Sequence, residues 1–269
     1  MEVQTISLIL GLVVGVIMYL TGAGGTVLAV PLLVFALHLS VLQASPVGLL
    51  AVMLAATTGA ILGLKAGVVR YKAAGLMAMF GLISAPVGLW VSHRLPNTLL
   101  ALIFASVLIF IAIRMFRQSN QNIDALGWEE FRAPPVCRLD TVHGKFSWTA
   151  PCATRLMMSG ALAGLLSGLL GVGGGFIIVP ALRAVSELDI KSIVATSLST
   201  IALVSAGGVV MAVTRGAINW HIALPFAGAA MFGMLCGKLI SHRISESIIQ
   251  RSFAVFATLV AIELLIKQL

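Results

Sequence analysis

Gly22-Ala-Gly-Gly-Thr-Val-Leu-Ala-Val-Pro31 and Gly171-Val-Gly-Gly-Gly-Phe-Ile-Ile-Val-Pro180 are two versions of one decapeptide, 149 positions apart. Each sets a glycine cluster and a proline inside a long apolar stretch. A helix must break there, and its freed backbone amides must find other partners. Membrane transporters build polar sites from such breaks without charged side chains.

Working outward, the same shift of 149 pairs Gly67 with Gly216, Tyr71 with Trp220, Gly88 with Gly237, and Ser92-His93-Arg94 with Ser241-His242-Arg243. The register slips by two where Ala44-Ser45-Pro46 meets Ala195-Thr196-Ser197, and then recovers. Two homologous halves, 1–116 and 154–269, are the simplest cause. Between them 117–153 is polar, carries Pro134-Pro135 and reads as a linker outside the bilayer, with Trp128 and Trp148 at the membrane surface.

Only 10% of residues are charged against 59% hydrophobic, and the mean hydropathy is +1.09, so the chain is an integral membrane protein. Apolar stretches long enough to cross as helix recur near 5–37, 45–64, 73–91, 97–113, 154–182, 193–213, 221–240 and 248–266. Continuous runs such as Leu99-Leu-Ala-Leu-Ile-Phe-Ala lack the alternation of a β-barrel, and the fold class is all-α and polytopic. The first stretch follows Glu2 in place of a basic region and reads as retained, not as a signal peptide. The net charge of +8 is scattered at span ends and in the linker, which fits topology determinants and not a nucleic-acid face. Three cysteines, Cys137, Cys152 and Cys236, have no metal-ligand spacing, and their odd number argues against a full disulfide framework.

Topology turns on 5–37, whose 33 residues are too many for one straight crossing and too few for two. If one helix crosses and a fragment lies askew, each half has four crossings and the repeats are parallel. If two half-helices form a re-entrant hairpin, each half has three crossings and the repeats are inverted. The hairpin reading collects 14 Lys and Arg on one side, including Lys65, Arg70, Lys72, Arg183 and Lys191, and leaves Arg94, Arg215 and Lys267 opposite; the other reading splits them 11 to 6. The positive-inside rule favours the former, with inverted halves, both termini outside and the linker cytoplasmic.

The candidate substrate-binding residues are Gly22, Gly24, Gly25 and Thr26 in the first cluster and Gly171, Gly173, Gly174 and Gly175 in the second, with Pro31 and Pro180 as structural helix breaks. Glycines would free amides at the positive end of each half-helix to hold an anion near mid-membrane; close packing of helices through small residues is the alternative. Hydroxyls support the site: Thr196, Ser197, Ser199 and Thr200 in one dense run, and Thr21, Thr57 and Thr58 elsewhere, although such hydroxyls also bond their own backbone. Lys238 and Glu263 read as interfacial, so no buried acid or histidine offers a proton relay. Coupling would use the substrate's proton, a sodium ion on carbonyls, or the gradient itself. His93-Arg94 and His242-Arg243 complement helix C-termini. Metal and cofactor are expected to be absent.

At these residues the chain resembles the sulfite exporter TauE/SafE family, also called the toluene-sulfonate uptake permease family. The specific mark is Gly168-Leu-Leu-Gly-Val-Gly-Gly-Gly-Phe-Ile-Ile-Val-Pro180 followed by Ala195-Thr196-Ser197. The first half departs from it with Thr26 for the third consecutive glycine and Ser45-Pro46 for Thr-Ser. The resemblance implies transport of sulfite, sulfonate or a related organosulfur anion across a bacterial inner membrane. The partners implied are that anion, the lipid bilayer and a second copy in a homodimer, with no nucleic acid. A membrane enzyme lacks its parts here, having no intramembrane His/Glu cluster and no serine–histidine pair. A non-transporting assembly or signalling factor is the rival reading.

Overall fold

The computed structural model describes residues 2–22, 24–37, 39–92, 94–121, 137, 149–186, 188–240, 255 and 258–259. The bulk of the linker, Trp128, Trp148, His93, the Ser241-His242-Arg243 segment and Glu263 lie outside them.

The described residues are helical almost throughout. In the first half these are α1 (Glu2–Thr21), α2 (Gly24–Leu37), α3 (Val41–Lys65), α4 (Tyr71–Ser92) and α5 (Asn97–Gln121). In the second they are α6 (Ala150–Leu170), α7 (Gly175–Val185), α8 (Ile190–Thr214) and α9 (Trp220–Ile240). Six of them, α1, α3, α4, α6, α8 and α9, are long and apolar enough to cross a membrane.

Positions 149 apart share their capping chemistry. Ser40 caps α3 with a reciprocal Gln43 box, and Asp189, 149 positions on, caps α8 through the Lys191 amide. Both helices end on a left-handed glycine, Gly67 at φ +70° and Gly216 at φ +64°. In each case the next amide reaches back to a carbonyl five residues earlier, Val68 to Gly63 and Ala217 to Ala212, which satisfies the orphaned helix end.

Glycine seams decide which helices touch. Along α1 and α9, Gly11 faces the Phe226 carbonyl, Gly15 that of Ala230, Gly233 that of Leu12, and Gly237 the ring of Tyr19. Along α4 and α6, Gly160 faces Met77, Gly164 faces Gly81 and Gly168 faces Ala85. Residue numbers rise together in both seams, so each pair is parallel. Each half's first helix thus rests on the fourth helix of the other half. Without Cβ atoms the backbones approach to direct contact, which is the source of packing energy in lipid, where the hydrophobic effect between helices is absent.

The corresponding helices α3 and α8 form the most buried pair in the centre, and they run antiparallel. Gly63 faces Ala195, Gly59 faces Leu198, and Leu49 faces Gly208. A disulfide joins Cys137 to Cys152 at the start of α6, and the Cys137 amide bonds the Val185 carbonyl at the end of α7 over 2.8 Å. The sequence does not single out this pair, which leaves Cys236 as the free cysteine. Because α6 starts where α7 ends, the two helices form a hairpin, and the glycine cluster is its turn.

Two expectations change. The first limb of each hairpin is not a half-helix: α1 has 20 residues and α6 has 21, against 14 in α2 and 11 in α7. Nor do Pro31 and Pro180 make the breaks, since they lie inside α2 and α7. Each removes the N–H that would bond the carbonyl four residues earlier, which loosens a helix without ending it. The chain reverses at the glycines, where Gly22 at φ +72° and Gly171 at φ +70° adopt a conformation that side chains disfavour.

Candidate functional site

The two glycine clusters divide into residues that pack within their own hairpin and residues that meet the central helices. A methyl group at Gly174 would overlap the Ala163 carbonyl of α6, and one at Gly25 would lie 2.6 Å from the Val14 carbonyl of α1. These two glycines hold each short helix against its own hairpin partner. Gly171 turns instead toward Ser45 of α3, and Gly22 toward Val194 of α8, so each break abuts the other half. Gly24 and Gly175 begin the two short helices, and Thr26 is buried in the first turn of α2.

Gly173, at φ +72°, lies between Val52 of α3 and Ile201 and Ser205 of α8. Those neighbours stand near the middles of the two 25-residue central helices, so the chain between Gly171 and Gly174 descends to their mid-length. There α7 begins with Gly174 at its N-cap and no side-chain cap. By helix geometry the amides of Gly175 and Phe176 have no acceptor within α7, and the positive end of its dipole points into the break.

Most hydroxyls of the predicted site are occupied elsewhere. Thr196 Oγ1 accepts the backbone N–H of Arg70 at 3.0 Å. Ser197 donates to the Val194 carbonyl at 2.8 Å and faces that of Gly22 at 3.4 Å. Ser199 and Thr200 donate to Ala195 and Thr196 one turn back, and Thr21, Thr57 and Thr58 do the same in their helices. Ser45, outside the predicted set, donates to the Val41 carbonyl at 2.7 Å and faces that of Leu170 at 3.1 Å. These bonds satisfy helix ends and turns, and a hydroxyl proton given to a carbonyl is not available to an anion.

Sequence reasoning missed Ser205. Its side chain is fully buried, and its Oγ has no partner among the described residues. The signal that could have found it is a break in the repeat, since the position 149 earlier is Ala56.

A cavity of about 320 Å³ reaches the second break from the end of the molecule where α3 begins and α8 finishes. One wall is a stripe of α3, Leu42, Ser45 and Leu49, and the facing wall is the α8 stripe Gly208, Ala212 and Arg215. Spacings of three and four put each set on one helix face. Continued inward, the same stripes arrive at Val52 and Ser205 beside Gly173. The corresponding place in the other half is packed: Val194 lies against Gly22, Ala195 against Gly63, and Leu198 against Gly59. Arg94, at the same end as Arg215, stacks on Trp90 with its guanidinium 3.9 Å from the ring centroid.

A family model described as sulfite exporter TauE/SafE matches residues 7–264. The chain belongs to the sulfite exporter TauE/SafE family. Relatives extend the match along the whole length. A probable membrane transporter protein of Xylella fastidiosa (strain Temecula1) is 26% identical over 271 residues, covering 97% of this chain and 95% of that protein. The probable membrane transporter protein YunE of Bacillus subtilis is 25% identical over 279 residues, covering 97% and 96%. A further probable membrane transporter protein, from Methanocaldococcus jannaschii, is 26% identical over 253 residues, covering 88% and 86%. The family assignment and the membrane-length helices make the chain a multi-pass membrane transporter and not an enzyme.

Proposed function

We propose that this member of the family moves a small sulfur oxyanion, sulfite or an organosulfonate, across the inner membrane, and that the anion binds at the glycine break before α7. The observation carrying this reading is the uncapped N-terminus of α7 at mid-length of α3 and α8. An anion there meets convergent N–H dipoles in apolar surroundings, where electrostatic attraction is stronger than in water. The chemistry suits a substrate with several oxygen acceptors.

Orientation follows from the antiparallel packing of α3 and α8. A two-fold axis relating corresponding helices that run oppositely lies across the helices, in the membrane plane, which supports inverted repeats over 1–116 and 154–269. The hairpins α1–α2 and α6–α7 return to their own side and leave, among the described residues, α3, α4 and α5 in the first half and α8 and α9 in the second. With 14 of the 17 Lys and Arg on the linker side, segment 117–153 faces the cytoplasm and the Arg215 mouth faces outward.

The experiment is counterflow in proteoliposomes. Vesicles loaded with unlabelled sulfite should take up labelled sulfite, and an organosulfonate should compete. Absence of exchange for sulfite, sulfonates and thiosulfate, from protein that reconstitutes as a folded species, would overturn the reading.

A further inference from the structure

We propose that Ser205 is the side-chain donor of a single oxyanion site, located at the second break only and entered from the Arg215 mouth. The inference rests on the transport reading above and adds a residue, a route and a stoichiometry to it. Four observations converge on it.

Ser205 Oγ is fully buried yet lacks a partner among the described residues, while on the same helix Ser197, Ser199 and Thr200 donate to backbone carbonyls and Thr196 accepts the Arg70 amide. A buried hydroxyl without a partner is destabilising, and a ligand oxygen accepting its proton removes that penalty. The Oγ also lies 3.0 Å from the point where a Gly173 side chain would start. Only glycine fits at that position, where a side chain would also overlap Val52, and its absence lets the backbone at the positive end of α7 come up close beside the hydroxyl.

The cavity leads toward the site, its lining ending at Gly171 and Gly208, one turn short of Ser205. Arg215 is exposed at its mouth, Ala212 and Gly208 follow along the same face of α8, and Ser205 is one turn further in. A cation at the rim draws anions in, and small residues keep the way open below it. The site has no second copy. In the first half the positions matching Ser205, Gly208, Ala212 and Arg215 are Ala56, Gly59, Gly63 and Ala66, which carry neither hydroxyl nor charge. Val194, Ala195 and Leu198 pack into the space they leave.

Titration calorimetry on purified full-length protein tests the proposal, using sulfite and methanesulfonate as probes. Ser205→Ala should weaken binding roughly 10- to 100-fold, the usual effect of removing a hydrogen bond to a charged group. Ser205→Thr, which keeps the hydroxyl, should restore most of it. Ser199→Ala, whose hydroxyl serves its own helix, should bind as the unaltered protein does. Alanine already occupies the matching position 56, so Ser205→Ala is expected to fold. If it does not elute as one species, Ser205→Cys, a weaker donor of similar size, carries the same expectation. Unaltered affinity in a folded Ser205→Ala or Ser205→Cys variant overturns this inference and leaves the transport reading standing. Failure of the unaltered protein to bind either probe overturns both.

Discussion

The backbone N–H of Arg70 donates to Thr196 Oγ1 over 3.0 Å, tying the α3–α4 loop of one half to the start of α8 in the other. Thr196 looks like a ligand in the sequence because it stands in a run of hydroxyls. In the structure it is a clasp between halves, on the linker side, where the repeat interface is packed shut.

Thr196→Val should therefore act on stability and not on substrate. The shape is kept, the partly buried Arg70 amide loses its acceptor, and the cost is about 1 kcal/mol. Thermal unfolding in detergent should show a lower midpoint, while sulfite affinity stays at its original value. A large loss of affinity at unchanged stability would return Thr196 to the binding site.

Gly174→Ala should fail in assembly before transport can be asked about. Its φ of +65° disfavours any side chain, and the added methyl would overlap the Ala163 carbonyl, forcing α6 and α7 apart. Gly67→Ala is the control, because at φ +70° it meets nothing within 4 Å. That change costs about 1 kcal/mol of backbone strain and no packing. Size-exclusion profiles of fluorescent fusions should show aggregation or loss for the first and a monodisperse peak for the second.

Topology can be read with single cysteines in a chain whose own three cysteines are replaced. A membrane-impermeant maleimide added to intact cells should label Arg215→Cys and Asn97→Cys, and should reach Asp189→Cys and Lys72→Cys only after lysis. The opposite pattern would reverse the orientation, and labelling of Arg215→Cys and Lys72→Cys together from outside would sink the inverted arrangement.

The Cys137–Cys152 pair gives an independent check. A cytoplasmic linker exposes it to reducing conditions, in which such bonds do not persist. Alkylation in intact cells with a permeant reagent, followed by mass spectrometry, should find both thiols modified. A disulfide found intact in living cells would place the linker outside, against the distribution of Lys and Arg.

What could be read in advance follows from what leaves a periodic trace. The shift of 149 anticipates the paired caps Ser40 and Asp189 and the left-handed Gly22 and Gly171. Backbone geometry repeats because it depends on small residues at fixed places. Side-chain roles do not repeat in that way. Gly25 and Gly173 look alike as letters, yet one faces the backbone of α1 and the other the side chains of Val52 and Ser205 on the two central helices. Only the approach of a neighbouring helix separates them. Thr196 and Ser205 illustrate the same limit, because whether a hydroxyl finds a carbonyl or an amide, or is left without one, depends on which turn of another helix arrives beside it. The proline readings failed for a related reason: in an apolar helix a missing N–H is tolerated where neighbours close over it, so α2 and α7 run on through Pro31 and Pro180 and the chain reverses at the glycines.

The exchanged pairing of α1 with α9 and α4 with α6 has a bearing on ancestry. Each half turns a glycine-lined seam outward that only the other half can cover. On the inverted arrangement, an unduplicated forebear would have needed to insert in both orientations and find its upside-down twin in the same bilayer. Gene fusion would then have fixed one orientation for each copy. It would also have freed the copies to diverge, so that one break could keep a hydroxyl and an entrance while the other, with Ala56 and Val194, became a wall.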